Sequence, residues 1–103
     1  MNDRLELPEH YRKQVEEILR DRVPHAEVWA YGSRVDGTSY EASDLDLVVR
    51  APGLKPISAM GMEALREAFR ESNIPIIVEA RDWARLPTSF HREIERNYVR
   101  LND

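Results

Sequence analysis

The sequence predicts an α+β sandwich, a small mixed sheet with helices on one face, and three observations lead there. Amphipathic segments with helical spacing alternate with short β-branched ones. Proline or glycine stands at most of the boundaries. The segment Asp44-Leu45-Asp46-Leu47-Val48-Val49-Arg50 has the two-residue alternation of a half-buried strand.

Taken in order, Pro8 suits the first turn of a helix, and Tyr11, Val15, Ile18 and Leu19 then recur at helical spacing as far as Arg22. Pro24 ends that helix. Ala26 to Tyr31 is short, β-branched and aromatic, which predicts a strand stopping at Gly32. A polar stretch from Gly32 to Ser43 leads into the second strand, and Ala51-Pro52-Gly53 closes it. Ile57 to Glu71 carries Ile57, Met60, Ala64, Leu65, Ala68 and Phe69 at helical spacing, so a long helix is expected despite Gly61. Ile74 to Ala80 predicts a third strand with Pro75 at its start. A last helix is expected from Pro87 to Asn97, with Phe90 and Ile94 one turn apart, followed by a short tail.

With 103 residues, the chain is sized for one domain covering 1–103. A domain this small gains appreciably in stability from a bound partner or ligand. Lys and Arg number 15 against 19 Asp and Glu, a formal charge of −4, which argues against an extensive nucleic-acid surface or electrostatic attachment to an anionic membrane. The absence of cysteine excludes a disulfide framework, a thiolate zinc site and a cysteine nucleophile. No apolar run has the length of a signal peptide or a membrane span, so the cytoplasm is the expected location.

Chemistry concentrates between Gly32 and Glu79. Alternation along the second strand projects Asp44 and Asp46 from one face while Leu45, Leu47 and Val49 project from the other. Two adjacent carboxylates repel unless a cation or a raised pKa relieves them, and hard divalent cations prefer such oxygen ligands. Magnesium is the expected ion. On the third strand Ile77, Glu79 and Arg81 share a face; at a strand spacing of roughly 4.8 Å, Glu79 could join the Asp pair. Three carboxylates on neighbouring strands would make a two-metal cradle for phosphoryl or nucleotidyl transfer. The alternative for Glu79 is an edge-strand acid paired with Arg81, and the sequence leaves both open. Upstream, Gly32-Ser33-Arg34 sits where a strand ends: the glycine admits a phosphate to the backbone, the serine donates to it and the arginine neutralises it.

Gly32-Ser33-Arg34-Val35-Asp36-Gly37, a short spacer and Ser43-Asp44-Leu45-Asp46-Leu47 together resemble the signature of the minimal nucleotidyltransferase family, within the DNA polymerase β-like nucleotidyltransferase superfamily. The motif spans about a sixth of the chain, and the order of elements, with Val78-Glu79 ahead of Asp82-Trp83, extends the likeness over most of it. The resemblance implies the nucleotidyltransferase fold and ATP as substrate. It implies Gly32 and Ser33 on the triphosphate, with Arg34 and Ser43 completing the nucleotide site. Asp44 and Asp46 would hold two magnesium ions, with Glu79 as third acid. Members are often paired with a small helical HEPN-type toxin, and some silence it by transferring AMP to a tyrosine. A hetero-oligomer with such a toxin is therefore expected. The alternative is a catalytically weak antitoxin that neutralises the toxin by covering it. Two positions depart from the pattern: relatives often have aspartate where Glu79 stands, and a small or basic residue where Asp36 stands.

Other residues have plainer roles. An Asp-x-Asp pair alone is commonly solubilising; only its joining to Gly-Ser-Arg makes it a site. His10, His25 and His91 lie in different elements without metal-ligand spacing. Trp29, Tyr31 and Trp83 are expected in the core. Arg92, Arg96 and Arg100 would form a solvated stripe if the last helix ran that far.

Overall fold

Pro8 has no amide to satisfy and stands immediately before α1 (Glu9–Arg22), its carbonyl accepting from the amides of Tyr11 and Arg12, both at 3.0 Å. The helix buries Val15 and Leu19, one turn apart, and ends where the Val23 amide bonds the Leu19 carbonyl ahead of Pro24. The computed structural model describes residues 4–102.

After α1 come β1 (Glu27–Tyr31), the single-turn α2 (Ser33–Asp36) and β2 (Leu45–Arg50). Then α3 (Ala59–Arg70) crosses back to β3 (Val78–Asp82), and α4 (Thr88–Glu95) leads to the short β4 (Val99–Arg100). Among the described residues the four strands form one sheet in the order β3-β2-β1-β4. β1 runs antiparallel to β2 and β4, and β2 parallel to β3. The sheet is thus mixed, and β2 lies between β1 and β3. A parallel pair needs a crossover element, and α3 supplies it; the Ser58 hydroxyl caps its start by accepting from the Gly61 amide at 3.0 Å.

Two apolar layers result. Val28, Ala30, Leu45, Leu47 and Val49 face α1 and α3, meeting Val15, Leu19, Leu65 and Phe69 in the main core. On the opposite face Trp29, Tyr31 and Val48 meet Trp83 and Ile94, with Leu86 and Phe90 against them. The expectation of helices on one face therefore holds for α1 and α3 and is corrected for α4, which covers the other. Trp29, Tyr31 and Val48 are the reason: two large aromatic side chains and a valine projecting from that face need an apolar cover, and the α4 pair Phe90 and Ile94 provides it. Trp29, Tyr31 and Trp83 are core residues, as expected, and the Arg50 guanidinium lies 4.1 Å from the Trp29 ring centre and 4.6 Å from that of Trp83.

Three boundaries move. β3 begins at Val78 instead of Ile74: Pro75 has no amide for a ladder, and pairing starts only where the Leu45 amide donates to the Ile77 carbonyl at 2.9 Å. α3 starts after Ser58, whose extended backbone and bond to the Gly61 amide make it the cap, while the Ile57 amide before it donates to the Asp82 carboxylate at 2.8 Å. α4 stops at Glu95, so Arg92, Arg96 and Arg100 form no helical stripe; Arg100 belongs to β4 instead. No helix among the described residues is long and apolar enough to cross a membrane.

Ile94 is 1% exposed and Met60 84%. Ile94→Ala should cost about 2–5 kcal/mol in urea unfolding, because it opens the layer beneath α4. Met60→Ala should change stability by about 0.5 kcal/mol or less.

Candidate active site

The acids are positioned by strand pairing. In the register of the sheet Asp46 lies opposite Tyr31 on β1 and Glu79 on β3. Asp44 precedes β2 by one residue, and alternation sends it to the same face as Asp46. Val48, next on that face, is already under the α4 layer. The acids therefore occupy only the uncovered end of this face.

Gly32 makes room for them. Its φ of +84° favours glycine, and a Cβ built there would come within 2.5 Å of Asp46 Oδ2. The carboxylate thus lies against the turn that starts α2, where the Val35 and Asp36 amides bond the Gly32 carbonyl at 3.0 Å. Ser33, first residue of α2, is half-buried, and among the described residues its hydroxyl makes no hydrogen bond.

Arg34 and Ser43 do other work than the sequence suggested. Arg34 is 5% exposed, and its guanidinium donates to four carbonyls: Ser43 at 3.0 Å, Glu6 at 2.6 Å, Tyr40 at 3.4 Å and Glu41 at 2.9 Å. It is turned into the protein, where it ties down the loop that delivers Asp44. Ser43 is also buried, its hydroxyl accepting from the Tyr40 amide at 2.9 Å while its own amide donates to the Tyr40 carbonyl at 3.0 Å. Neither presents its polar group to a nucleotide; a buried cation needs such partners, and carbonyls of the irregular loop supply them. Asp36 is likewise engaged locally, accepting from the Thr38 amide at 3.0 Å and hydroxyl at 2.6 Å.

Charge is crowded at this end of the sheet. The Asp46 carboxyl is held above its ordinary 3.8 by burial first, then by the charges of Asp44 and Glu79, against the pull of Arg81. Burial likewise raises the Tyr31 hydroxyl above 10.0; the Arg81 charge and hydrogen bond oppose that, while Asp46 and Glu79 add to it. Arg81 is the residue that motif reading missed as part of the site. Its signal lay in the strand alternation that puts it on the face of Glu79, with which it pairs at 3.5 Å.

Among the described residues no three Asp, Glu or His side chains converge closely enough to enclose an ion. Asp44 and Asp46 nonetheless offer a hard cation what it prefers, two carboxylates whose mutual repulsion it would relieve. Glu79 stands next to them across the ladder, turned to Arg81. Beside the Gly32 turn, a groove of about 350 Å³ runs between α2 and α4, lined by Tyr31, Gly32, Asp36, Phe90, Glu93 and Arg96 among others.

Residues 12–100 match the nucleotidyltransferase domain family. The chain belongs to that family. It is 38% identical over 89 residues to a probable protein adenylyltransferase MntA of Haemophilus influenzae, across 86% of this chain and 76% of that protein. The resemblance drawn from the Gly-Ser-Arg and Asp-x-Asp motifs is thereby borne out, as is the enzyme class. Two solved structures share the nucleotidyltransferase fold. A toxin–antitoxin with AMP-PNP superposes with a TM-score of 0.73 at 21% identity, over 87% of this chain and 71% of that one. The toxin–antitoxin MntA-HepT does so with a TM-score of 0.69 at 17% identity, over 91% and 71%.

In this nucleotidyltransferase the charge on Asp46 opposes folding. Its folded pKa lies above the ordinary value, so between 3.8 and that raised value the native chain keeps a proton that the unfolded chain loses, and stability falls as pH rises. Asp46→Asn should therefore be more stable than wild type at pH 7, and the difference should vanish below pH 3.8. Urea unfolding at the two pH values measures it.

Proposed function

We propose that this nucleotidyltransferase moves AMP from ATP, with magnesium, to a tyrosine hydroxyl of a small helical HEPN-type toxin and so acts as its antitoxin. The observation that carries the reading is the seating of Asp46 against the Gly32 turn. It joins an anion-binding backbone to a pair of cation-binding acids, the two halves of a metal–nucleotide site. The relative named a protein adenylyltransferase and the fold neighbours named as toxin–antitoxin assemblies, one with AMP-PNP, support it.

The chain's own residues divide the work. The amides of Ser33 and Arg34, which precede the two bonded to the Gly32 carbonyl, and the Ser33 hydroxyl would donate to phosphate oxygens. Asp44 and Asp46, with Glu79 as a further donor, would hold the magnesium. When bound, the ion neutralises phosphate charge and stabilises the developing charge at the transferred phosphorus. The acceptor oxygen attacks the α-phosphorus, the bond to the β-phosphate oxygen breaks, and pyrophosphate leaves on the side of Gly32 and Ser33. A carboxylate of this cluster accepts the acceptor's proton as the new bond forms.

A second reading, neutralisation by covering the toxin with little catalysis, draws on the pairing of Glu79 with Arg81 instead of with the Asp pair. One experiment separates the two. The protein is incubated with magnesium, ATP and a co-expressed HEPN-type chain, and intact masses are read beside an Asp44→Ala, Asp46→Ala control. The transferase reading expects an AMP-sized addition on the toxin that the control abolishes together with neutralisation. A stable complex, no added mass and undiminished neutralisation by the control would overturn it.

A further inference from the structure

We infer that Arg81 is a positioning residue that holds the third acid, Glu79, away from Asp44 and Asp46 until a divalent cation displaces it. The inference rests on the reading of Asp44 and Asp46 as a cation site and goes beyond it, because it assigns an order to the site's assembly.

Glu79 pairs with Asp46 and Arg81 with Val48 across the parallel β2–β3 ladder, so alternation places Asp46, Glu79 and Arg81 on one face. The Arg81 guanidinium lies 3.5 Å from Glu79 Oε1. Its charge is also felt at the Tyr31 hydroxyl on β1, the residue on the other side of Asp46. Arg81 therefore spans the face on which the acids gather, and its charge opposes theirs at Asp46. The neighbouring guanidiniums of Arg34, Arg66 and Arg85 are committed elsewhere. Arg34 is on the carbonyls of Glu6, Tyr40, Glu41 and Ser43, Arg66 on the Ala80 carbonyl at 2.9 and 3.1 Å, and Arg85 on the Ile57 carbonyl and Asp82.

The strength of the pair decides what it can do. The side chains of Arg81 and Glu79 are 47% and 44% exposed, and exposed pairs of this kind contribute little stability. Such a contact orients Glu79 without locking it. A divalent cation between Asp44 and Asp46 carries twice the charge of Arg81 and bonds carboxylate oxygen directly, so it outcompetes the guanidinium for Glu79. Cation binding therefore includes the loss of the Arg81 contact, and Arg81 lowers the affinity of the empty site.

Electron paramagnetic resonance of free Mn2+ tests this on the purified full chain, with Mn2+ alone as probe and circular dichroism confirming the fold of each variant. Arg81→Gln should bind Mn2+ about fivefold more tightly than wild type, the scale set by a half-exposed ion pair. The gain should shrink by at least half in the Glu79→Gln background, since Glu79 is what the substitution releases. An unchanged or weaker affinity in Arg81→Gln, or an equal gain without the Glu79 carboxylate, overturns the inference while leaving the metal site standing. Asp44→Asn with Asp46→Asn should remove the binding; if it does not, the cation site itself and the inference fall together.

Discussion

Everything at the active end of this protein depends on how β2 is held between two neighbours. Leu45, Leu47 and Val49 are fully buried against the helices, so the strand cannot slip by one residue without driving three apolar side chains to the wrong face. That constraint fixes Asp44 and Asp46 on the other side. The antiparallel partner then brings Tyr31 and the Gly32 turn to Asp46, and the parallel partner brings Glu79. One register sets three relations that the chemistry needs.

The constraint has a cost, visible at Asp46. A carboxyl pressed against a backbone turn and crowded by two other acids is poorly placed for folding, and its raised proton affinity is the measure of that. The surrounding structure compensates with internal contacts away from the acids. Arg34 binds four carbonyls and keeps the approach to Asp44 in one shape. Ser43 closes the last turn of that approach. Behind the acids, Val48, Trp83 and Ile94 seal the face and leave only its end open. Local strain in charge is thus concentrated where a cation and a nucleotide would relieve it.

Much of this was legible in the residues. The alternation at Leu45 to Val49 located the strand and the face of its acids, and the Gly-Ser-Arg and Asp-x-Asp spacing identified the family. What escaped was set by contacts distant in sequence. Arg34 reads as a phosphate ligand in its motif, and only the fold reveals that Glu6, Tyr40, Glu41 and Ser43 surround it with carbonyls. Pro75 reads as a strand start, but the ladder waits for Val78 because Leu45 sets where pairing begins. α4 was expected beside the other helices; the aromatic face of β1 drew it to the opposite side. Glu79 had two readings, and geometry gives each a part: it pairs with Arg81 and its charge is felt at Asp46.

In the proposed function the Gly32 turn and the Asp44–Asp46 pair act as one binding unit. Amide chemical shifts of the isotopically labelled chain, followed during titration with magnesium and a non-hydrolysable ATP analogue, test it most directly. The largest changes should fall together on Gly32 to Val35, Asp44 to Leu47 and Glu79, and magnesium should strengthen the nucleotide's effect. Changes centred instead on the separate groove lined by Glu16, Arg20, Pro24, Leu101 and Asn102, with the acid strand silent, would contradict it.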